Sequence, residues 1–315
     1  MTDKVELMHS FTEWRRLHQI VETTDADGEP TIKFVFREKS LEETPPLRIV
    51  VLPAAFNPLT KAHVELLDAA EGKKGIDESL LVLDKKTIDK ELFGATLEDR
   101  LLMLESFARD RKNTSVAFSS HGLFLGKARA LRDIYPEETE IFFIVGYDTL
   151  VRLFDPKYYR NRDEALEHLF SMSRFLVGNR AGSDESSVGE LLSAPGNVKF
   201  SACVEPIRIS GRAAAMSSTE VRERVEKGLE LGNLAPESIE KVIRGIGLYS
   251  EHVEATSREK NHKGGRYEVR CDILRRLASS DFPEGRDLHI GKMVEEVMEG
   301  AEVGRVVENA LERLR

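Results

Sequence analysis

Leu47-Arg48-Ile49-Val50-Val51-Leu52-Pro53-Ala54-Ala55-Phe56-Asn57-Pro58-Leu59-Thr60-Lys61-Ala62-His63 is the stretch that sets the architecture of this chain. Its first third is a short apolar, β-branched run, the composition of a central strand buried on both faces. Two prolines and an asparagine then break the run into a loop. From about Lys61 the pattern resumes as a helix, with Val64, Leu66 and Leu67 apolar and His63 and Glu65 polar. A buried strand, a sharp loop and a helix N-terminus make a place for phosphate. Unpaired backbone N–H groups and the positive end of the helix dipole point at one spot. Thr60 stands where an N-cap belongs, and His63, in the first turn, can present a ring N–H to a phosphate oxygen held there.

Outward from that stretch, apolar strands alternate with helices from Leu47 to Tyr249, the pattern of an α/β, Rossmann-like doubly wound parallel sheet. Further strands are expected at Ser79–Leu83, Thr114–Phe118, Ile141–Val145, Phe175–Gly178 and Val198–Ser201. Helices are expected at Leu97–Arg109, Leu125–Ile134, Arg162–Ser171, Ser218–Glu226 and Pro236–Ile246. Ligands of such a sheet lie beyond the C-terminal ends of its strands.

Residues 1–46 read as an N-terminal extension, with a helix over Phe11–Val21, a turn at Asp25–Pro30 and a strand at Thr31–Phe36. Trp14 has the spacing of a packing residue. Residues 251–315 read as a polar, charged linker at Glu251–Gly265 followed by amphipathic helices at Tyr267–Leu277 and Met293–Leu314. Two helices bury little alone, so they are expected to pack on residues 47–250 or on a second subunit, which leaves a homo-oligomer open.

The chain has 315 residues, enough for a sizeable core, and 46 Lys+Arg against 55 Asp+Glu give a net charge of -9. That balance argues against sequence-independent nucleic-acid binding. Cys203 and Cys271 stand far apart without ligand-like spacing, so neither a disulfide framework nor a zinc site is expected. With no long apolar run and no signal-peptide core, no membrane partner is expected, and a cytoplasmic protein is the default reading.

Several motifs fall at strand ends or helix starts. Lys85 and Lys86 follow the second core strand, where lysines can meet a phosphate or lie solvated on a charged loop. The strand Phe142–Val145 ends in Gly146, which lets a ligand approach the backbone. Asp148 then either accepts from ribose hydroxyls or caps the next helix, Thr149–Phe154. In Met216-Ser217-Ser218-Thr219-Glu220-Val221-Arg222, Ser217 and Glu220 have capping-box spacing. The same helix start offers hydroxyls and N–H groups to an anion, and Arg222 adds a bidentate clamp.

Phe56-Asn57-Pro58 followed by Thr60-Lys61-Ala62-His63 resembles the first signature of the nucleotidylyltransferase superfamily, GxFxPxHxGH, with Thr60 for the first His. Ala54-Ala55 stand where a Gly and a small residue are usual, and Ala62 replaces the Gly of the motif. Met216 through Arg222 resembles the second signature, ISSTxxR. Arg100 resembles the arginine of the family's R-x-x-M helix, and Gly146 through Tyr159 resembles the GxD block of nicotinamide-nucleotide adenylyltransferases, closest to a fungal-type subgroup. Tyr158-Tyr159 stand where many members carry Trp, on the nicotinamide side. Arg180 occupies the base-side arginine position, and Leu234 through Tyr249 matches the closing structural block.

The resemblance implies transfer of AMP from Mg²⁺-bound ATP to nicotinamide or nicotinate mononucleotide, with pyrophosphate released by direct in-line attack. It implies Thr60, His63 and Arg222 as catalytic residues. Ala55, Phe56, Asn57, Lys85, Lys86, Arg100, Gly146, Asp148, Arg180, Ser217, Ser218 and Thr219 would contact ATP or the acceptor, and no residue is expected to ligate a metal by itself. The alternatives are another phosphorylated acceptor, such as phosphopantetheine, or a nucleotide-binding regulator without turnover. His289-Ile290-Gly291-Lys292 mimics the HIGH motif of class I aminoacyl-tRNA synthetases, but it lacks the second His and follows no strand.

Overall fold

The computed structural model describes residues 8–86, 94–179, 185–250, 265–283 and 285–314. In chain order its elements begin with α1 (Phe11–Glu22), β1 (Ile32–Phe36), α2 (Lys39–Glu43), β2 (Arg48–Pro53), α3 (Lys61–Lys74), β3 (Glu78–Asp84) and α4 (Leu97–Ala108). There follow β4 (Thr114–Ser119), α5 (Phe124–Arg132), β5 (Glu140–Gly146), α6 (Tyr147–Phe154), α7 (Arg162–Met172), β6 (Arg174–Gly178) and α8 (Glu185–Ser193). The last are β7 (Val204–Ile207), α9 (Gly211–Ala214), α10 (Ser218–Glu226), α11 (Glu237–Ile246), α12 (Arg266–Ala278), α13 (Ile290–Met298) and α14 (Val303–Glu312).

The strands form a seven-stranded sheet in the order β1-β4-β3-β2-β5-β6-β7. β2 pairs in parallel with both β3 and β5, so the winding reverses beside β2 and opens a crevice at the strand ends there. Alternate residues of each strand feed two cores, as a sheet covered on both faces requires. Val50 and Leu52 face one layer with Leu81 and Leu83, while Ile49 and Val51 face the other with Leu80 and Val82.

Three expectations are corrected. The 1–46 strand is not a separate addition: β1 joins the sheet as an antiparallel edge against β4, Ile32 opposite Ser119, so the sheet is parallel except at that edge. Val198–Ser201 is not a strand but lies in a 3₁₀ turn, Val198–Cys203, because Phe200 is drawn into an aromatic cluster with Phe170, ring centroids 4.8 Å apart. The last strand is β7, which accommodates Pro206 at the sheet edge. Finally, Met293–Leu314 is two helices, broken where Gly300 takes a φ of 113°.

α1 serves two layers. Leu17 and Val21 enter the core beneath β2, whereas Phe11 and Trp14 pack with α12, α13 and α14 in a third cluster. Trp14 is thus a packing residue, stacked on His18. His289 caps α13, its Nδ1 accepting from the Lys292 amide at 3.2 Å, which explains the synthetase-like string structurally. The expected linker falls almost wholly outside the described residues. Among them, no helix is long and apolar enough to cross a membrane.

Candidate active site

The loop after β2 is held from beneath. Arg100, only 2% exposed, donates from Nε to the Ala95 carbonyl (3.0 Å) and from Nη1 to the Ala55 carbonyl (3.2 Å). It is no surface charge but a strut under the loop, and burial lowers its pKa. Tyr249 donates its hydroxyl to Asn57 Oδ1 at 2.8 Å, and burial raises that phenol's pKa. Phe56 is buried in a left-handed conformation, φ 42°, with its ring centroid 5.3 Å from that of His63. The Asn57–Pro58 peptide is cis.

Thr60 is the N-cap of α3, and its backbone N–H donates to His63 Nδ1 at 3.0 Å. That bond makes Nδ1 an acceptor, so in the neutral ring the proton resides on Nε2. The Lys61 amide donates to the Leu234 carbonyl (2.8 Å), so one of the N–H groups that the sequence reading offers to an anion is already engaged.

The second motif docks directly on the first. Ser218 Oγ donates to the Pro58 carbonyl (2.8 Å), and Arg222 Nη1 donates to the Asn57 carbonyl (2.7 Å), while Nη2 reaches Thr219 Oγ1 at 3.1 Å. Ser217 caps α10 by accepting from the Glu220 amide, as the sequence spacing predicts. Two helix N-termini, α3 and α10, therefore converge on one loop, and their dipoles favour negative charge between them.

Two lobes open beside this junction, of about 400 Å³ and about 300 Å³. His63, Thr149, Arg152 and Ser218 border both. The larger lobe has an aromatic wall of Phe124, Tyr158 and Tyr159. Its edge carries Asp84, whose Oδ1 lies 3.0 Å from Lys127 Nζ, and the same ammonium donates to the Gly122 carbonyl at 2.6 Å. Burial raises the Asp84 pKa, with Lys127 opposing the shift. The smaller lobe lies against Gly146, Asp148, Gly178 and Ser217. Open space surrounds Gly146, where a Cβ would meet nothing within 4 Å. Gly146, not Asp148, is the N-cap of α6, and Asp148 stands exposed in its first turn.

Other expected contacts point elsewhere. Lys85 Nζ donates to the carbonyls of Val21 (2.7 Å) and Thr24 (2.9 Å) at the C-terminal end of α1, the end that favours a cation. Lys86 pairs with Asp27 at 2.6 Å. Both lysines thus tie the N-terminal segment to the sheet rather than line either lobe. Arg180 lies outside the described residues. Sequence reasoning missed Asp84, Lys127 and Arg152. The first ends a strand, and the last lies one helical turn after Asp148, which are the signals that could have found them.

Residues 51–224 match the family model described as cytidylyltransferase-like. Over 218 residues the chain is 29% identical to a putative nicotinamide mononucleotide adenylyltransferase of Schizosaccharomyces pombe, covering 64% of this chain and 86% of that one. Over 225 residues it is 24% identical to a probable nicotinate-nucleotide adenylyltransferase of Thermoanaerobacter, covering 66% and 97%. Among solved structures, a Plasmodium falciparum nicotinic acid mononucleotide adenylyltransferase complexed with NaAD matches at 18% identity and a TM-score of 0.49, covering 64% of this chain and 97% of that one.

Proposed function

This chain belongs to the cytidylyltransferase-like family of nucleotidyltransferases, and from that membership we propose that it moves AMP from ATP to the 5′-phosphate of a pyridine mononucleotide, nicotinamide or nicotinate. An acceptor phosphate oxygen forms a bond to the α-phosphorus while the bond from that phosphorus to the β-bridging oxygen breaks, and pyrophosphate leaves with the electron pair. The nucleophile is a phosphate monoester, ionised at neutral pH, so no general base is needed. Positioning and charge stabilisation then supply the rate.

The observation that carries this reading is the bonding of Ser218 and Arg222 to the Pro58 and Asn57 carbonyls, which joins two helix N-termini at one cleft. His63 would donate from Nε2–H to an oxygen of the α- or β-phosphate, held in that tautomer by Thr60. Ser218, Thr219 and Arg222 would hold the leaving pyrophosphate. Among the described residues no group of three or more His, Cys, Asp or Glu side chains stands ready to hold a metal. A magnesium ion, which often takes few protein ligands, would be held mainly by the triphosphate, whose charge it would offset.

The test is pyrophosphate release from Mg·ATP with nicotinamide mononucleotide, nicotinate mononucleotide or phosphopantetheine, resolving the products by chromatography. Dinucleotide is expected with a pyridine mononucleotide. In His63→Ala, kcat should fall by about a hundredfold or more, as for loss of one transition-state donor, with ATP still bound. ATP binding without product from any acceptor would replace this reading with that of a nucleotide-binding regulator.

A further inference from the structure

The cations that border the two lobes differ in what they already hold. Lys127 is neutralised by Asp84 at 3.0 Å. Arg152 is not: its Nε reaches the Asp148 carbonyl at 3.4 Å and its Nη2 the Thr149 hydroxyl at 3.2 Å, both neutral acceptors. Among the described residues no carboxylate pairs with it. A guanidinium half-withdrawn from solvent, steadied by its own helix and left without an anion, is a site prepared for one.

Its place says which anion. Arg152 borders both lobes, as His63 and Ser218 do, and so stands at the seam through which a transferred group must pass. His63, Ser218 and Arg222 come from the starts of α3 and α10, the side given above to the triphosphate. Arg152 comes from α6, and its neighbour Leu153 lines the aromatic lobe with Tyr158 and Tyr159. That lobe suits a flat pyridine ring, and a phosphate attached to the ring's ribose would extend from it toward the seam.

We propose that Arg152 binds the 5′-phosphate of the acceptor nucleotide and aims it at the α-phosphorus, an inference that rests on the adenylyl-transfer reading. A bidentate grip on two phosphate oxygens leaves the third to attack. The positive charge offsets the repulsion between an anionic nucleophile and the triphosphate it approaches. The bond changes are those already given: one O–P bond forms, one breaks, and pyrophosphate carries off the electron pair. Arg152 itself exchanges no proton, being charged throughout.

The experiment compares nicotinamide mononucleotide with nicotinamide riboside, which lacks the phosphate, by calorimetric binding to wild type, Arg152→Met and Arg152→Lys. Turnover of all three proteins with ATP is measured alongside. In Arg152→Met the mononucleotide should bind roughly ten- to a hundredfold more weakly, the scale of a lost charge-assisted contact. Riboside affinity and the KM for ATP should stay within about twofold, and Arg152→Lys should recover part of the loss. Equal losses for mononucleotide and riboside would overturn the proposal in favour of a structural role for Arg152. A loss confined to ATP would overturn it in favour of a triphosphate contact. Wild-type protein that makes dinucleotide while Arg152→Met binds the mononucleotide normally would overturn it and leave the adenylyl-transfer reading standing. A wild type with no dinucleotide and no mononucleotide binding would remove both.

Discussion

Phe56 holds a backbone φ of 42° although a side chain there is strained, and the reason is a contest of magnitudes. A left-handed conformation costs an L-residue about 1–2 kcal/mol, whereas truncating a buried Phe to Ala costs about 3–5 kcal/mol. Burial wins, with Phe56 only 2% exposed, and the loop keeps its shape. Urea denaturation should therefore show Phe56→Ala destabilised by about 3–5 kcal/mol. Phe56→Gly should be no less stable than Phe56→Ala, reversing the usual penalty for glycine of about 0.5–1 kcal/mol. A Gly variant clearly below the Ala variant would mean that the strain is not real. At this scale the sequence discloses what is local. Thr60, His63, Ser217 and Glu220 are caps and first-turn residues, and their spacing alone fixes their relation to one another. Lys85, Lys86 and Arg100 are different, because a long side chain goes where tertiary acceptors are. The α1 carbonyls, Asp27 and the Ala55 carbonyl that claim them lie as far away as 64 residues in sequence.

Among elements, the join between α4 and α12 is the one that sequence periodicity does not announce. Asp99, in the first turn of α4, is fully buried and lies 2.8 Å from Arg270 of α12. Tyr267 donates its hydroxyl to the same carboxylate at 2.7 Å, and Thr96 does so at 3.0 Å. Replacing a buried pair with apolar groups can be neutral, but removing one partner strands the other. Arg270→Met should accordingly cost about 3–5 kcal/mol in denaturant unfolding, and Asp99→Asn combined with it should return a good part of that loss. A double variant no more stable than the single would show that packing, not charge, governs this contact. Helices with an unbroken apolar stripe and a cap were legible to the residue, as Ser218–Glu226 is. The paired helices α13 and α14 were not, since a stripe reads through Gly300 as if it were continuous. The 3₁₀ turn at Val198–Cys203 was not either, since its placement depends on Phe154 and Phe170, which no local window contains.

For the whole molecule, the doubly wound sheet follows from the alternation of strands and helices, while its antiparallel edge β1 and the third cluster depend on the N-terminal segment pairing with β4 and reaching across to α12–α14. At that join His9 stacks on His289, and its pKa is lowered by burial first and then by His289, Arg270 and Arg266, with Glu295 opposing. A lowered histidine pKa means that the unfolded state binds the proton more readily. The contribution of His9 is therefore intact above its ordinary value near 6.5 and is lost as pH falls through the lower folded value. Melting temperature should drop as pH is lowered below about 6.5, and His9→Gln should flatten that drop. An unchanged slope in the variant would assign the acid sensitivity to other groups. The Asp99–Arg270 pair also has a consequence in time. Synthesis proceeds from the N-terminus at about 5–20 residues per second, so β2, the loop after it and α4 leave the ribosome well before Arg270 exists. Until then Asp99 is a carboxylate without its counter-charge, directly beside the Arg100 that props the Ala55 carbonyl. The nascent chain thus carries the loop after β2 above a helix whose buried carboxylate gains its counter-charge only when α12 arrives, so chains truncated before Arg270 should be markedly less stable than the full chain.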